Sequence, residues 1–383
     1  MVDEWKKGRL RDLATIAMGN SPPSSTYNMV GDGVPLVNGP TEFTDTSPIA
    51  KQWTTAPQRF CEKGDILLCV RGSSTGRINV ADQQYCIGRG VAAIRSSEGT
   101  EGNAYLKQLL LELVTQILTT SVGSTFPSVD KGSLQELEVN IPPADERKRI
   151  AALLSCWDKN IEVVNKLIAL KKTKLRAIAQ QLMQSRRSPY QALSSVLTKV
   201  NLPIVPNETE LYREIGIRSH GRGIFHKEPT SGLSLGTKRV YRVKPDCFVF
   251  NVVFAWEQAV ARTTERENDM IASHRFPMYE PIGESVDVDY LLYFFKTPRG
   301  KHLLGLASPG GAGRNRTLSQ EAFMKLKIPL PDIDRQRLIA KALAALDREI
   351  EILERLQDGY AKQKRGLMQQ LLTGKVRVSE GVA

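Results

Sequence analysis

Ile141-Pro-Pro-Ala-Asp-Glu-Arg-Lys-Arg-Ile-Ala151 superimposes on Leu330-Pro-Asp-Ile-Asp-Arg-Gln-Arg-Leu-Ile-Ala340 at an offset of 189, and no gap is needed through residue 183. Identical pairs are Pro142/Pro331, Asp145/Asp334, Ile150/Ile339, Ala151/Ala340, Leu154/Leu343, Asp158/Asp347, Ile161/Ile350 and Glu162/Glu351, followed by Gln180-Gln-Leu and Gln369-Gln-Leu. Agreement at one fixed offset marks a duplicated structural unit.

Within the first copy the apolar residues Ile150, Leu154, Trp157, Ile161, Val164, Ile168, Leu175, Ile178 and Leu182 alternate four and three apart, interrupted by Lys171. The second copy repeats this as Ile339, Leu343, Leu346, Ile350 and Leu353, weakens at Gln357 and Tyr360, meets Lys364, and resumes at Leu367 and Leu371. That spacing is a coiled-coil seam. A helix of this length is roughly 60 Å long, too long for one small module to bury, so each helix is expected to pack on the other. Pro142-Pro143 and Pro331 close extended segments, and Asp145 and Asp334 are placed to cap the helix starts. Gly374 is expected to stop the second helix and Ser185-Arg-Arg-Ser-Pro189 the first.

The segments ahead of the helices repeat more loosely. Lys63-Gly-Asp-Ile-Leu-Leu parallels Lys244-Pro-Asp-Cys-Phe-Val, a turn carrying Asp65 or Asp246 and then a short apolar strand. Helical stretches begin at Tyr105-Leu and Tyr290-Leu and run to about Thr120 and Ala307; each is followed by a loop rich in Gly and Ser. Short strands with one or two helices predict α+β (mixed α/β) modules in tandem, joined by two long antiparallel helices in a pseudo-two-fold repeat. The expected boundaries are 1–143 and 186–332 for the modules, 144–185 and 333–374 for the helices, and 375–383 for a tail.

The chain has 383 residues and a formal charge of +12. Segment 145–187 carries +7 and segment 334–377 carries +4, so the helices hold most of the excess and the modules are near neutral. A basic balance points to a polyanionic partner. The five cysteines form no Cys-x-x-Cys pair and are odd in number, which fits reduced cytoplasmic thiols and no metal site. No apolar run is long enough to cross a membrane.

Catalytic signatures are missing. Asn20-Ser-Pro-Pro-Ser24 lacks both the spacing and the aromatic ring of an Asn-Pro-Pro-aromatic methyltransferase motif, and reads as a turn. Gly310-Gly-Ala-Gly lacks a following Gly-Lys-Ser/Thr and reads as a loop. Asp246 has no acidic-x-Lys partner of the kind a metal-dependent nuclease needs. The modules offer polar and basic loops instead. Candidate DNA contacts are Arg71, Ser73, Ser74, Thr75, Arg77 and Arg89 in the first, and Arg218, His220, Arg222, Trp256, Arg275, Arg314, Asn315 and Arg316 in the second. Arginine fits guanine edges in bidentate fashion, Asn fits adenine, and both grip phosphate.

The Pro-rich helix entry with Glu146-Arg147, its repeat from Leu330, and the ending Gln370-Leu-Leu-Thr-Gly-Lys-Val-Arg377 resemble the specificity subunits of type I restriction-modification systems. The likeness runs over essentially the whole chain. It implies a cytoplasmic, non-catalytic subunit whose two target-recognition domains each read one half of a split sequence in double-stranded DNA, with the helix pair as a ruler. It further implies two partner modification subunits that methylate adenine with S-adenosylmethionine, docked on the helices, and two restriction subunits that consume ATP with Mg. The modules differ strongly between Arg71 and Arg95 and between Asn251 and Met278, where Phe254-Ala-Trp-Glu-Gln258 stands, so an asymmetric target is expected. The alternative is a coiled-coil scaffold whose modules bind protein. Such modules favour aromatic patches, and aromatics are only 7% of this chain.

Overall fold

The computed structural model describes residues 4–119, 128–183, 188–310 and 316–378. The chain forms two compact units, residues 1–165 with 356–383, and residues 166–355. The long helices, Ala144–Met183 and Ile333–Leu371, are each divided between the units.

In the first unit Lys6–Arg9 pairs antiparallel with Glu138–Ile141. A four-stranded antiparallel sheet follows in the order Ala14–Met18, Val91–Ser96, Ile66–Cys69, Ile78–Val80. Strand Ile66–Cys69 is buried on both faces, which explains why it reads as a continuous apolar run. Ile66 and Leu68 meet helix Thr100–Thr119 through Tyr105, Leu109, Leu110 and Leu113, while Leu67 and Cys69 meet a second core with Val37, Tyr85 and Ile87.

The second unit repeats this plan. Tyr190–Ala192 pairs with Lys327–Pro329, and its four-stranded sheet runs Leu197–Val200, Met278–Pro281, Phe248–Phe250, Val260–Arg262. Phe248 and Phe250 join Tyr279, Phe295 and Phe323 in an aromatic core, and Cys247 and Val249 face the other side. The bond Leu10 N–H to Leu137 carbonyl, 2.9 Å, recurs as Leu193 to Leu326, also 2.9 Å.

Four details differ from the sequence reading, the first being that the helix expected from Tyr105 begins five residues earlier, at Thr100. Gly64 bonds Ala81 (2.7 Å) as Asp246 bonds Thr263 (2.9 Å), and both are left-handed, with φ of 90° and 57°. The modules therefore align with Gly64 opposite Asp246, one residue away from the Asp65/Asp246 match. The expected helix to Ala307 is two helices, Val288–Lys296 and Pro298–Leu306, because Pro298 cannot continue the first and Thr297 caps the second at Gly300 N, 3.1 Å. Asp332, not Asp334, caps the second long helix, through Arg335 N at 2.9 Å. Pro143 occupies the corresponding place in the first copy and has no side-chain acceptor.

Both units hold their helix segments antiparallel. In the first unit Trp157 meets Tyr360 edge-on at 5.6 Å, and Lys364 reaches Asp158 at 2.6 Å. In the second, Lys171 pairs with Glu349 at 2.6 Å, and Ala179 and Met183 share a core with Ile339 and Leu343. Along the seam Ile150, Leu154, Val164, Ile168, Ile339, Leu343, Ile350 and Leu371 are buried. Trp157, Ile161, Leu175, Leu346, Leu353 and Leu367 are half-buried.

Glu146 is buried and accepts from Trp5 Nε1 (3.0 Å), Arg377 Nε (2.8 Å) and Val378 N (3.2 Å). The Pro-rich helix entry and the Gly-Lys-Val-Arg ending therefore meet. Burial pushes the Glu146 carboxyl upward, but these donors and the Arg377 charge outweigh it and hold the carboxyl below its usual range.

Candidate nucleic-acid interface

In the first unit the candidate residues gather where strand Ile66–Cys69 ends and Val91–Ser96 begins. Val70 N bonds Gly90 O at 2.9 Å, and Val129 N bonds Val70 O at 2.9 Å. Gly76 N returns to Cys69 O at 2.9 Å, which closes the 71–77 loop. Arg89 N is held by Ser21 Oγ at 3.1 Å. Gly88 permits this convergence, since a Cβ there would lie 1.9 Å from Asn38 Oδ1. Arg71, Ser73, Arg77 and Arg89 are exposed, and Ser74 is half-buried. Thr75 is buried and donates its hydroxyl to Gly72 O at 2.8 Å, so it shapes the loop from inside.

The second unit builds the same end of its sheet by equivalent bonds. Val252 N bonds Arg275 O at 3.0 Å, Leu318 N bonds Val252 O at 2.7 Å, and Asn251 N bonds Ala259 O at 2.9 Å as Cys69 N bonds Arg77 O at 2.8 Å. The Arg218–Gly223 loop docks on this turn through His220 N to Glu257 O (2.7 Å) and Gly221 N to Gln258 O (2.8 Å). His220 and Gln258 are both left-handed, with φ of 61° and 60°. Non-glycine residues in that region are costly, and here the two are held by adjacent backbone bonds. Arg218 lies over the Phe225 ring at 4.9 Å, and Arg316 lies over the half-buried Trp256 at 5.7 Å. His220, Arg222 and Arg275 are exposed. The structure thus brings Arg218, His220, Arg222, Trp256, Arg275 and Arg316 together; Arg314 and Asn315 lie outside the described residues.

Charge pairing distinguishes the two ends of these sheets. Among the described residues Arg71, Arg77, Arg89, Arg218, Arg222, Arg275 and Arg316 form no ion pair. At the opposite end Arg95 binds the buried Asp65 at 2.6 Å, Arg262 binds Asp246 at 2.6 Å and also Asp289, and Lys244 binds Glu280. Cations left without carboxylates are free to meet phosphates or base edges.

Several members of the interface carry no local sequence signal. Ser21, Asn38, Gln58 and Arg59 are brought there by distant contacts, Ser21 through Arg89 N, Asn38 against Gly88, Arg59 through Ile87 N and Gln58 through Asn20, and Lys296 because its side chain lies against Gly221. Reactive thiols are not part of it. Burial pushes Cys61 and Cys69 up to about 12 and Cys247 to about 11, so all three stay protonated. Among the described residues no group of three His, Cys, Asp or Glu side chains is placed to hold a metal ion, and no helix is long and apolar enough to cross a membrane.

The type I restriction modification DNA specificity domain matches this chain at residues 2–172 and again at 237–359. The chain belongs to this family. Among relatives, a putative type I restriction enzyme MjaX specificity subunit of Methanocaldococcus jannaschii is 36% identical over 151 residues, which is 39% of this chain and 35% of that protein. The MjaVIII specificity subunit of the same organism is 21% identical over 98% of this chain and 94% of its own length. The S subunit of the type I restriction-modification system from M. genitalium shares the fold with a TM-score of 0.61, at 15% identity, over 97% of this chain and 96% of that one. A chain from a solved type I R-M system has a TM-score of 0.59 at 14% identity, covering 98% and 100%. The specificity family thus accounts for both the tandem α+β modules and the long helices; its first matched region contains Arg71, Arg77 and Arg89 and its second Arg275 and Arg316, while Arg218 and Arg222 precede the second.

Proposed function

We propose that each unit reads one half of a bipartite sequence in double-stranded DNA, within a type I restriction-modification complex whose chemistry resides in other subunits. The observation that carries this reading is the set of unpaired arginines grouped at the same sheet end in both units. On this account residues 1–143 and 186–332 are the readers, and 144–185 with 333–374 form the spacer that fixes the distance between half-sites. The loops differ in kind: glycines at 72 and 76 open the first, whereas Phe254, Trp256 and left-handed Gln258 build the second. Unlike loops read unlike half-sites, so the target is asymmetric.

The exposed helix faces dock two modification subunits, which transfer methyl groups from S-adenosylmethionine to adenine. Two restriction subunits complete the complex and use ATP and Mg. The complex acts in the cytoplasm, where its DNA lies. Mapping methylated adenines in the source cell with and without this gene tests the function. Loss of one bipartite motif is expected on deletion, and an unchanged pattern refutes the assignment.

A further inference from the structure

Asn20 stands in the segment that first reads as a turn, yet it does more than turn the chain. Its backbone N bonds Ile87 O at 3.0 Å, and on the other edge of the same residue Ile87 N bonds Arg59 O at 2.8 Å. Ile87 is fully buried, so Asn20 and Gln58 are carried on either side of a rigid strand end. Their side chains meet there, Asn20 Nδ2 donating to Gln58 Oε1 at 2.5 Å, and both remain exposed to solvent.

An amide has one oxygen acceptor and two N–H donors. The bond between the two amides uses one donor of Asn20 and engages the oxygen of Gln58, which leaves the Asn20 oxygen and the Gln58 NH2 facing outward. Exchanging O and N in both amides leaves the same outward set, one acceptor and a donor group. In the major groove the single base that presents a donor and an acceptor side by side is adenine, through N6 and N7. Arg89, whose backbone is held by the neighbouring Ser21, and Arg59, next to Gln58 in sequence, add exposed cations that can meet phosphate.

We infer that the Asn20–Gln58 amide pair is a specificity-determining element of the first unit, reading the major-groove edge of one adenine in its half-site. This rests on the DNA-reading function proposed above. The pair is held before DNA arrives, so its geometry costs little to order on binding.

The test maps methylation motifs in source cells whose gene is replaced by Asn20→Ala, Gln58→Ala or Gln58→Glu. Gln58→Glu keeps the shape of the side chain and its bond to Asn20 but replaces the outward donor with an acceptor. All three variants are expected to lose discrimination at the same A·T position of one half-site, by roughly tenfold to a hundredfold, with the other half-site unchanged. Thermal melts of the purified chains should match, since both residues are exposed. An unchanged motif in all three variants, or a change at a G·C position, overturns the inference while leaving the DNA-reading function standing. A wild-type gene that directs no sequence motif overturns both.

Discussion

Lys364 donates to Asp158 Oδ1 at 2.6 Å from inside the apolar seam of the first unit, and Gln108 Nε2 donates to the other oxygen at 2.7 Å. The lysine that interrupts the heptads is therefore a register pin that ties both helix segments to the module helix. Asp347, at the repeat position of Asp158, ties its own long helix to the module helix of the second unit by accepting from Tyr293 at 3.1 Å and Lys296 at 3.4 Å.

Lys364→Met is expected to lower stability by about 2 kcal/mol, because it leaves the partly buried Asp158 with the Gln108 amide and only the more distant Lys107 at 3.7 Å. Combining it with Asp158→Leu should recover much of the loss, since an apolar pair suits the seam. Urea unfolding of the single and double variants measures this. A double variant as unstable as the sum of the singles would show that the two residues are not coupled.

Acid should loosen the first unit through two carboxyls. Burial raises Asp158, but the hydrogen bonds from Lys364 and Gln108 and the charges of Lys364 and Lys107 prevail and hold it below its ordinary value; Glu146 behaves likewise. Both folded-state values are depressed, so their contribution is complete above the ordinary carboxylate range, about pH 4, and is lost as pH falls through the folded values. Unfolding free energy measured from pH 6 to pH 3 should decline less steeply in Glu146→Gln than in the wild type. Equal slopes would contradict the assignment.

If the helices set the spacer, inserting one heptad in each at matching points of the antiparallel pair should lengthen the methylated motif. The added rise is about 10 Å, close to three base pairs at ~3.4 Å each. Both half-sites should keep their sequences. A lengthened helix with an unchanged spacer would contradict the ruler.

The modules are near neutral, and their unpaired arginines are few. The isolated chain is therefore expected to bind DNA weakly and with a shallow dependence on salt, and modification subunits should both tighten binding and steepen that dependence. Binding titrations between 50 and 200 mM salt, near the range where phosphate contacts dominate, measure it. Tight, specific binding by the chain alone would refute the expectation.

The duplicated helices were legible because a seam needs the same residue types at the same spacing, and Ile150, Leu154, Ile339 and Leu343 keep both. Helix starts were less so: Asp332 caps the second helix although Asp145 and Asp334 are the identical pair, since the cap position depends on where the extended segment ends. The Asp65/Asp246 match failed by one residue because glycine and aspartate can both occupy a left-handed turn, and the backbone ladder, not side-chain identity, fixes the register. The arginine loops could be named from the sequence. Ser21, Asn38 and Gln58 could not, because only the pairing of Ile87 and Val91 with distant segments brings them there.

On the proposed function each unit reads its own half-site, independently of the other. This is tested by the methylation motif directed by two triple variants, Arg71→Ala/Arg77→Ala/Arg89→Ala in the first unit and Arg222→Ala/Arg275→Ala/Arg316→Ala in the second. Each is predicted to blur base preference in one half of the motif only, and the two variants in opposite halves. Changes spread over both halves in either variant, or confined to the same half in both, would contradict it.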